Sequence, residues 1–110
     1  MKTSIIKTHF SDNKYRFTLT SLSGSTILNS IAYTDEDAMK KAIAQLYGMQ
    51  VGRGNFERKT NHDGQFLFHL KDANGQLLGY SLPYGSEAGM ENGIKNLTNS
   101  LNALKEAYNQ

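Results

Sequence analysis

The three histidines, His9, His62 and His69, are the side chains of this sequence best suited to proton transfer near neutral pH. They lack the short spacing of metal ligands, and the sequence contains no cysteine, so we expect neither a metal site nor a disulfide. His62 precedes Asp63 as an acid–base pair would, but Gly64 follows, which favours a turn. We therefore predict no catalytic residues, no bound metal and no cofactor.

Motifs of nucleophilic catalysis and phosphate binding are also missing. No serine stands in a Gly-x-Ser-x-Gly elbow. Residues 51–55 place two glycines around Arg53, but no Walker lysine follows, so a flexible linker is the favoured interpretation. The sequence predicts a protein that is not an enzyme.

Two segments, residues 14–20 and 66–71, alternate aromatic or aliphatic side chains with polar ones. This alternation predicts strands that bury Phe17 and Phe68 on one face. The opposite face is the candidate binding face, and its residues are Lys14, Arg16, Thr18, Leu67, His69 and Lys71.

Basic and apolar side chains on an open sheet face suit a protein partner or the phosphates of nucleic acid. A solvated face without a ligand is the common alternative. Because the aromatic side chains are predicted to point inward, the face lacks the aromatic pair that stacks single-stranded bases. We favour a non-catalytic protein-interaction module, with self-association open and weak nucleic-acid binding as the alternative.

Tyr33 and Tyr84 precede the two predicted helices at matched places. They have two interpretations, a symmetric pair that binds a ligand or two anchors at the junction of helix and sheet. We favour anchoring, because a tyrosine ring buries well there while its hydroxyl finds a polar partner.

The two halves of the chain align without a gap at the spacing that separates Gly24 from Gly75. Such internal similarity predicts one supersecondary unit built twice. We predict an α+β fold of two tandem β-β-β-α repeats that share one mainly antiparallel sheet, with both helices on one face. The single domain 1–110 then contains repeat 1 at 1–48, a linker at 49–54 and repeat 2 at 55–110.

Both predicted helices have recognisable ends. Thr34 is the predicted N-cap of the first helix and Gly48 its end. The second helix is predicted to extend to near the C-terminus, with a kink or break open at residues 98–100, and its far end buries against the first helix or a second subunit. Its apolar seam consists of Met90, Ile94, Leu97, Leu101, Leu104 and Tyr108.

The charge balance excludes a strongly basic nucleic-acid binder. Twelve Lys and Arg oppose 10 Asp and Glu, for a net charge of +2. The sequence has no apolar run of signal-peptide or membrane-spanning length, so we expect a cytoplasmic protein without a membrane partner.

The chain resembles the YegP-like family of small bacterial proteins. Residues 56–59 and 66–79, followed by Ser81, Tyr84 and Gly93-Ile94, are similar to the repeat of that family. Residues 11–19 and 27–33 are similar to the first repeat of its tandem member. The resemblance implies one sheet with helices on one face and an exchange of terminal strands between repeats or subunits. It implies no established activity.

The chain departs from the family pattern in both helices. Ala38 and Ala42 replace small or glycine positions of the first helix. The helical tail to Tyr108 stands where the resemblance implies a loop and a strand. A strand exchange at the C-terminus is therefore not expected.

Overall fold

The computed structural model of the protein describes residues 6–21, 24–49 and 52–108. Within this part, the chain forms six strands, two α-helices and one short 3-10 turn. In chain order they are β1 (Ile6–Ser11), β2 (Lys14–Thr20), β3 (Thr26–Ser30), α1 (Glu36–Gly48), the 3-10 turn (Arg53–Asn55), β4 (Phe56–Thr60), β5 (Phe66–Lys71), β6 (Leu77–Tyr80) and α2 (Glu87–Tyr108). The predicted first-strand residue Ile5, the turn residue Ser23 and the linker residue Val51 lie outside the described residues.

The six strands form one antiparallel sheet in the order β1-β2-β3-β6-β5-β4. Each half contributes a three-stranded meander. The two meanders meet at the centre of the sheet, where Asn29 pairs with Tyr80 and Ser30 pairs with Gly79. The predicted α+β fold with an antiparallel sheet is confirmed.

The turns of the two outer hairpins differ. Asp12 and Asn13 join β1 to β2 as a two-residue turn, with φ angles of 53° and 61°. Aspartate and asparagine are the non-glycine residues that tolerate such angles best. Residues 61–65 form the longer turn between β4 and β5, where Gly64 has a φ of 74°.

Because the two turns differ in length, the pairing of β4 with β5 is displaced by one residue relative to the pairing of β1 with β2. Ile6 pairs with Leu19 in the first hairpin, and Phe56 pairs with Leu70 in the second. The span from Phe56 to Leu70 is therefore one residue longer than the span from Ile6 to Leu19. The ungapped correspondence seen in the sequence does not extend to β1 and β4.

The core lies between the sheet and the two helices. Phe17, Leu19, Phe68 and Leu70 are fully buried, as the alternation predicts. They belong to one hydrophobic cluster with residues of both helices, so both halves share a core. The buried helix residues are Met39, Ala42 and Leu46 of α1 and Met90, Ile94, Leu97, Leu101 and Leu104 of α2.

Irregular register brings additional side chains into this core. The β2–β3 pairing shifts between Leu19 and Thr20, and the β5–β6 pairing shifts between Leu70 and Lys71. A bulge lets two consecutive side chains point to one side of a sheet. Accordingly, Ile27, Leu28 and Leu78 are all buried in the one cluster.

The first residue of α1 is preceded by a cap that differs from the predicted one. Asp35 is the N-cap, and its carboxylate accepts the backbone N–H of Asp37 at 2.9 Å. The prediction of Thr34 as the N-cap is wrong. Thr34 and Asp35 are adjacent and both can cap a helix, so the local sequence does not decide between them. The helix ends at Gly48 as predicted.

Helix α2 runs without a break through residues 98–100. The Thr98 hydroxyl donates to the Ile94 carbonyl at 2.9 Å, which satisfies this polar side chain within the helix. Leu101 and Leu104 are buried in the chain's own core, so this part of the seam needs no second subunit. The side chain of Tyr108 lies outside the described residues.

Candidate functional site

The sheet face opposite the helices, the outer face, contains the predicted binding residues. In β2, Lys14 and Arg16 alternate with the buried Phe17 and Leu19 and so point away from the core. In β5, alternation with Phe68 does the same for its neighbours. The residues predicted from sequence, all on the outer face, are Lys14, Arg16, Leu67, His69 and Lys71.

The strand order separates these residues into two groups. Strands β3 and β6 lie between β2 and β5. At the usual strand spacing, the two groups are about 14 Å apart. Across the middle of the outer face, one row of paired residues runs from edge to edge through Lys7, Thr18, Asn29, Tyr80, His69 and Glu57.

Tyr80 is the central residue that the sequence analysis missed. It is 38% exposed and pairs with both Asn29 and His69. The segment Leu77-Leu78-Gly79 before it shows no polar–apolar alternation, because the register shift in β6 disrupts the pattern. Tyr80 thus brings to the outer face an aromatic ring that the alternation did not place there.

The chemistry of the outer face differs on the two sides of this row. Ser30 pairs with Gly79, Gly79 pairs with Leu70, and the Ser30 hydroxyl accepts the N–H of Phe17. Phe17, Ser30, Gly79 and Leu70 therefore form the row next to the one that contains Thr18 and His69. Arg16 and Lys71 are the residues beyond Phe17 and Leu70 in the same direction, so both lie on the same side of the central row.

Apolar side chains lie on the other side of the row. Leu67 occurs two residues before His69 in β5, which places it on the outer face. Leu82 comes after the end of β6 and follows Ser81, whose side chain is buried and accepts the N–H of Phe68. Leu82 is 47% exposed. The outer face is consequently basic on the Arg16 side of the row, whereas the other side combines apolar residues with Lys59, which pairs with Leu67.

Glu57 is the centre of a charged cluster on β4 and β5. Its Oε1 lies 2.9 Å from Lys71 Nζ, 3.6 Å from Lys59 Nζ and 4.0 Å from His69 Nδ1. The hydrogen bond from Lys71 is the main reason why the pKa of Glu57 is lowered. Burial, and next the charge of Lys59, lower the pKa of His69. The lowered pKa favours the neutral form of His69, and its contact with Glu57 is an ion pair only when His69 is protonated.

Tyr33 and Tyr84 anchor the segments that lead into the helices. Tyr33 exchanges two backbone hydrogen bonds with Tyr15, at 2.7 and 2.8 Å. Tyr84 makes the same exchange with Phe66, at 2.6 and 2.8 Å, and its ring stacks on Phe68 at 6.5 Å. Burial raises the pKa of both tyrosines, and the charge of Asp72 adds to the rise at Tyr33.

Two buried serines are structural. The Ser30 hydroxyl accepts the N–H of Phe17 at 2.8 Å and donates to the Ile31 carbonyl. The Ser81 hydroxyl accepts the N–H of Phe68 at 3.0 Å and donates to the Leu82 carbonyl. Both hydroxyls are committed to main-chain partners and are not arranged as nucleophiles.

The turn around His62 and Asp63 is structural as well. The Asn61 side-chain oxygen accepts the N–H groups of Asp63 and Gln65, each at 3.0 Å. The glycine-rich segment before β4 closes on itself, because Gly52 N–H donates to the side chain of Asn55 at 2.9 Å. Neither segment has the geometry of an acid–base pair or a phosphate loop.

Within residues 6–21, 24–49 and 52–108, no three His, Asp or Glu side chains are grouped so that they could hold a metal ion. Neither helix in this part of the chain has the length and apolar character needed to cross a bilayer.

These features define the class of the protein. It is a small α+β protein with a six-stranded antiparallel sheet and two helices packed on one face. Two solution NMR structures share this fold. The Escherichia coli protein of unknown function YegP has a TM-score of 0.81 and 32% identity over 92% of this chain and 88% of that chain. A UPF0339 protein of Shewanella oneidensis has a TM-score of 0.79 and 26% identity over 94% of this chain and 86% of its own.

Sequence comparisons agree with the fold. YegP of Escherichia coli K12 is 39% identical over 84 residues, which is 76% of each chain. A UPF0339 protein of Pseudomonas aeruginosa is 34% identical over 86 residues, which is 78% of each chain. Residues 61–102 match the profile of a domain of unknown function, DUF1508. The chain belongs to the UPF0339 family of YegP-like proteins.

Proposed function

We propose that this protein is a non-catalytic interaction module that binds an acidic partner protein on its outer face. The observation that carries the proposal is the composition of that face around Tyr80. Its cationic side chains are Lys7, Lys14, Arg16, Lys59 and Lys71, against the carboxylate of Glu57. Such a surface is complementary to a patch of Asp and Glu.

The centre of the outer face supplies the apolar contact that a protein interface needs. Tyr80 and Leu82 are large and exposed, and Leu67 lies half-buried near them. Interfaces concentrate binding energy in a few aromatic and arginine side chains surrounded by polar groups. We expect Tyr80 and Arg16 to contribute most to binding.

Nucleic acid is the second candidate ligand. The exposed ring of Tyr80 among cations favours it, because aromatic rings stack on bases and cations neutralise phosphates. Glu57 pairs with Lys59 and Lys71 and so weakens the attraction of this face for either kind of anion. The exposed Leu82 suits a protein better than a polyanion. We therefore rank nucleic acid below a protein partner.

We also infer that the two halves are copies of one unit, at residues 1–48 and 55–110 of a single domain. The matching hydroxyl contacts of Ser30 and Ser81 support this inference. The matching bridges from Tyr33 and Tyr84 support it too. We propose a cytoplasmic location, in line with a sequence that has no cysteine.

Nuclease-treated affinity capture tests the proposed function. The bait variants are the wild type, Lys14→Ala/Arg16→Ala/Tyr80→Ala on the outer face, and Lys40→Ala/Lys95→Ala, a control with two exposed lysines on the helices. We expect a stoichiometric acidic protein with the wild type and the control. At least a tenfold lower yield is expected with the outer-face variant.

A second measurement separates the two candidate ligands. Fluorescence anisotropy with a thymidine oligonucleotide reports nucleic-acid binding and its dependence on salt. Tight, steeply salt-dependent binding that the outer-face variant loses would favour nucleic acid instead. Equal capture of the same proteins by all three baits would contradict the proposed interface.

A further inference from the structure

A cleft lies on the helix side of the sheet, between α1 and the turn that joins β5 to β6. Its volume is about 480 Å³, and Tyr33, Ala38, Ala42, Asp72 and Leu78 line it. A second cleft of about 550 Å³ lies further along α1, and Asp72 lines this one as well. Asp72 thus stands where the two clefts adjoin.

The cleft depends on a difference between the two helices. In the second half, the ring of Tyr84 lies so close to α2 that a Cβ added to Gly93 would overlap its hydroxyl oxygen. Ala42 follows Tyr33 at the same distance in sequence and carries that Cβ. If Tyr33 lay against α1 as Tyr84 lies against α2, its ring would clash with the Cβ of Ala42. Tyr33 therefore cannot pack on α1 as Tyr84 packs on α2, and it lines the cleft.

The polar groups of the cleft favour a positively charged ligand. Asp72 is half-buried, and its Oδ1 accepts the N–H groups of Asn74 at 2.8 Å and Gln76 at 2.9 Å. These two bonds hold the carboxylate in place and do not involve Oδ2. Lys41 is the cation among the residues that line this cleft, and it is exposed. Of the two charged groups, the Asp72 carboxylate is the one that hydrogen bonds hold in place, whereas the Lys41 ammonium is carried by an exposed side chain.

The remaining surface suits the apolar part of a ligand. Ala38, Ala42 and Leu78 present methyl groups, and Tyr33 presents an aromatic ring with a neutral hydroxyl. Aromatic rings attract cations through their electron-rich faces. We propose that this cleft binds a small primary amine, with its ammonium group on Asp72 and its apolar body against Ala38, Ala42 and Leu78.

NMR titration of the amide resonances tests the proposal. The probe is phenethylammonium, and 3-phenylpropionate and 2-phenylethanol are the anionic and neutral comparisons. We expect phenethylammonium to shift the amide resonances of Ala38, Ala42 and Gln76 saturably. The other two compounds are expected to bind at least tenfold more weakly, because a charge-assisted hydrogen bond to a carboxylate is lost.

Two variants and one control sharpen the test. Asp72→Asn removes the charge but keeps a side-chain oxygen for the turn, and we expect about tenfold weaker binding. Ala38→Leu fills the cleft and should abolish binding. Ala88→Leu changes an exposed alanine of α2 outside the cleft and should leave binding unchanged.

The proposal is overturned if phenethylammonium shifts none of these resonances, if the carboxylate binds equally well, or if Ala38→Leu binds as the wild type does. Each variant's amide spectrum shows whether it is folded. Because the cleft and the outer face lie on opposite sides of the sheet, the capture experiment and the titration fail independently.

Discussion

Gly93 shows how one missing methyl group sets the position of a neighbouring ring. The Tyr84 ring stacks on Phe68 and packs against α2 at this glycine. Glycine within a helix costs about 1 kcal/mol relative to alanine. This packing is the structural reason for glycine at this point of α2. The close approach is to the tyrosine ring rather than to the strands.

Substituting Gly93 by alanine is expected to destabilise the protein. The new Cβ would lie 2.5 Å from Tyr84 Cζ, and such overpacking costs about 1–3 kcal/mol, which outweighs the gain in helix propensity. Urea denaturation measures the change in the free energy of unfolding. Gly89→Ala is the control, because its Cβ would come no closer to Tyr84 than 3.7 Å, and its nearest neighbour, Ser86 Oγ at 3.1 Å, would need to shift by only a few tenths of an ångström. A Gly93→Ala variant more stable than the wild type would show that the ring yields without cost.

The pKa of His69 depends on the charged side chains around it on the outer face. Its pKa is lowered by burial first and then by Lys59, whereas Glu57 opposes the shift. Lys59→Ala should therefore raise the pKa of His69, and Glu57→Gln should lower it further. A titration of the His69 ring protons by NMR measures both changes, and shifts in the opposite directions would contradict the assigned cluster.

The sign of the stability effect follows from the direction of that shift. The folded protein holds a proton on His69 less readily than the unfolded chain, whose histidine titrates near 6.5. Stability is therefore unaffected by His69 at high pH and falls as the pH drops through 6.5. Glu57 and Glu91 act in the same direction at lower pH, because their pKa values are lowered in the folded state.

At the scale of elements, the joint between β3 and β6 holds the two meanders together. It is short, with Asn29 paired to Tyr80 and Ser30 paired to Gly79. Ile31 adds a hydrogen bond from its N–H to the Leu78 carbonyl at 3.2 Å. The close approach at Gly79 leaves no room for a side chain between the two strands.

Gly79→Ala is expected to weaken this joint. The added Cβ would lie 2.5 Å from the Asn29 carbonyl oxygen, and backbone cannot rotate away as a side chain can. We expect a loss of about 1–3 kcal/mol in the free energy of unfolding and faster hydrogen exchange at the paired amides. Gly85→Ala is the matched control, since nothing lies within 4 Å of its added Cβ. Equal exchange rates in the two variants would contradict the importance of the contact.

At the scale of the whole molecule, both halves contribute to one hydrophobic cluster. Phe17 comes from the first meander and Phe68 from the second, and each is fully buried. Helix α2 contacts both β3 and β5, so it spans the joint between the halves. One continuous core predicts one cooperative unfolding transition.

Phe17→Ala and Phe68→Ala should each cost about 3–5 kcal/mol and still give a single transition. Thermal melts followed by circular dichroism and by tyrosine fluorescence measure it. Phe10→Ala is the control, because Phe10 is 59% exposed and its loss removes mainly the ring contact with Tyr15 at 4.6 Å, which should cost no more than about 1.5 kcal/mol. Two separate transitions in either core variant would mean that the halves unfold independently.

Periodicity in the sequence predicts the strands, the burial of their aromatic residues and the long second helix. Alternation identified Phe17 and Phe68 as core and placed Arg16 and His69 on the outer face. The apolar seam predicted a long α2 but left a kink or break open at residues 98–100, where the helix is continuous. These features are local, because strand period, helix period and turn chemistry are properties of a few adjacent residues.

The way in which these strands and helices combine depends on contacts between distant parts of the chain. The tertiary structure set β3 beside β6, which separates Arg16 from His69 and puts Tyr80 between them. It also decided that a ring packs at Gly93 while a cleft opens beside Ala42. Neither outcome has a local signal, because pairing between distant strands and the room left for a side chain depend on contacts between residues far apart in the chain.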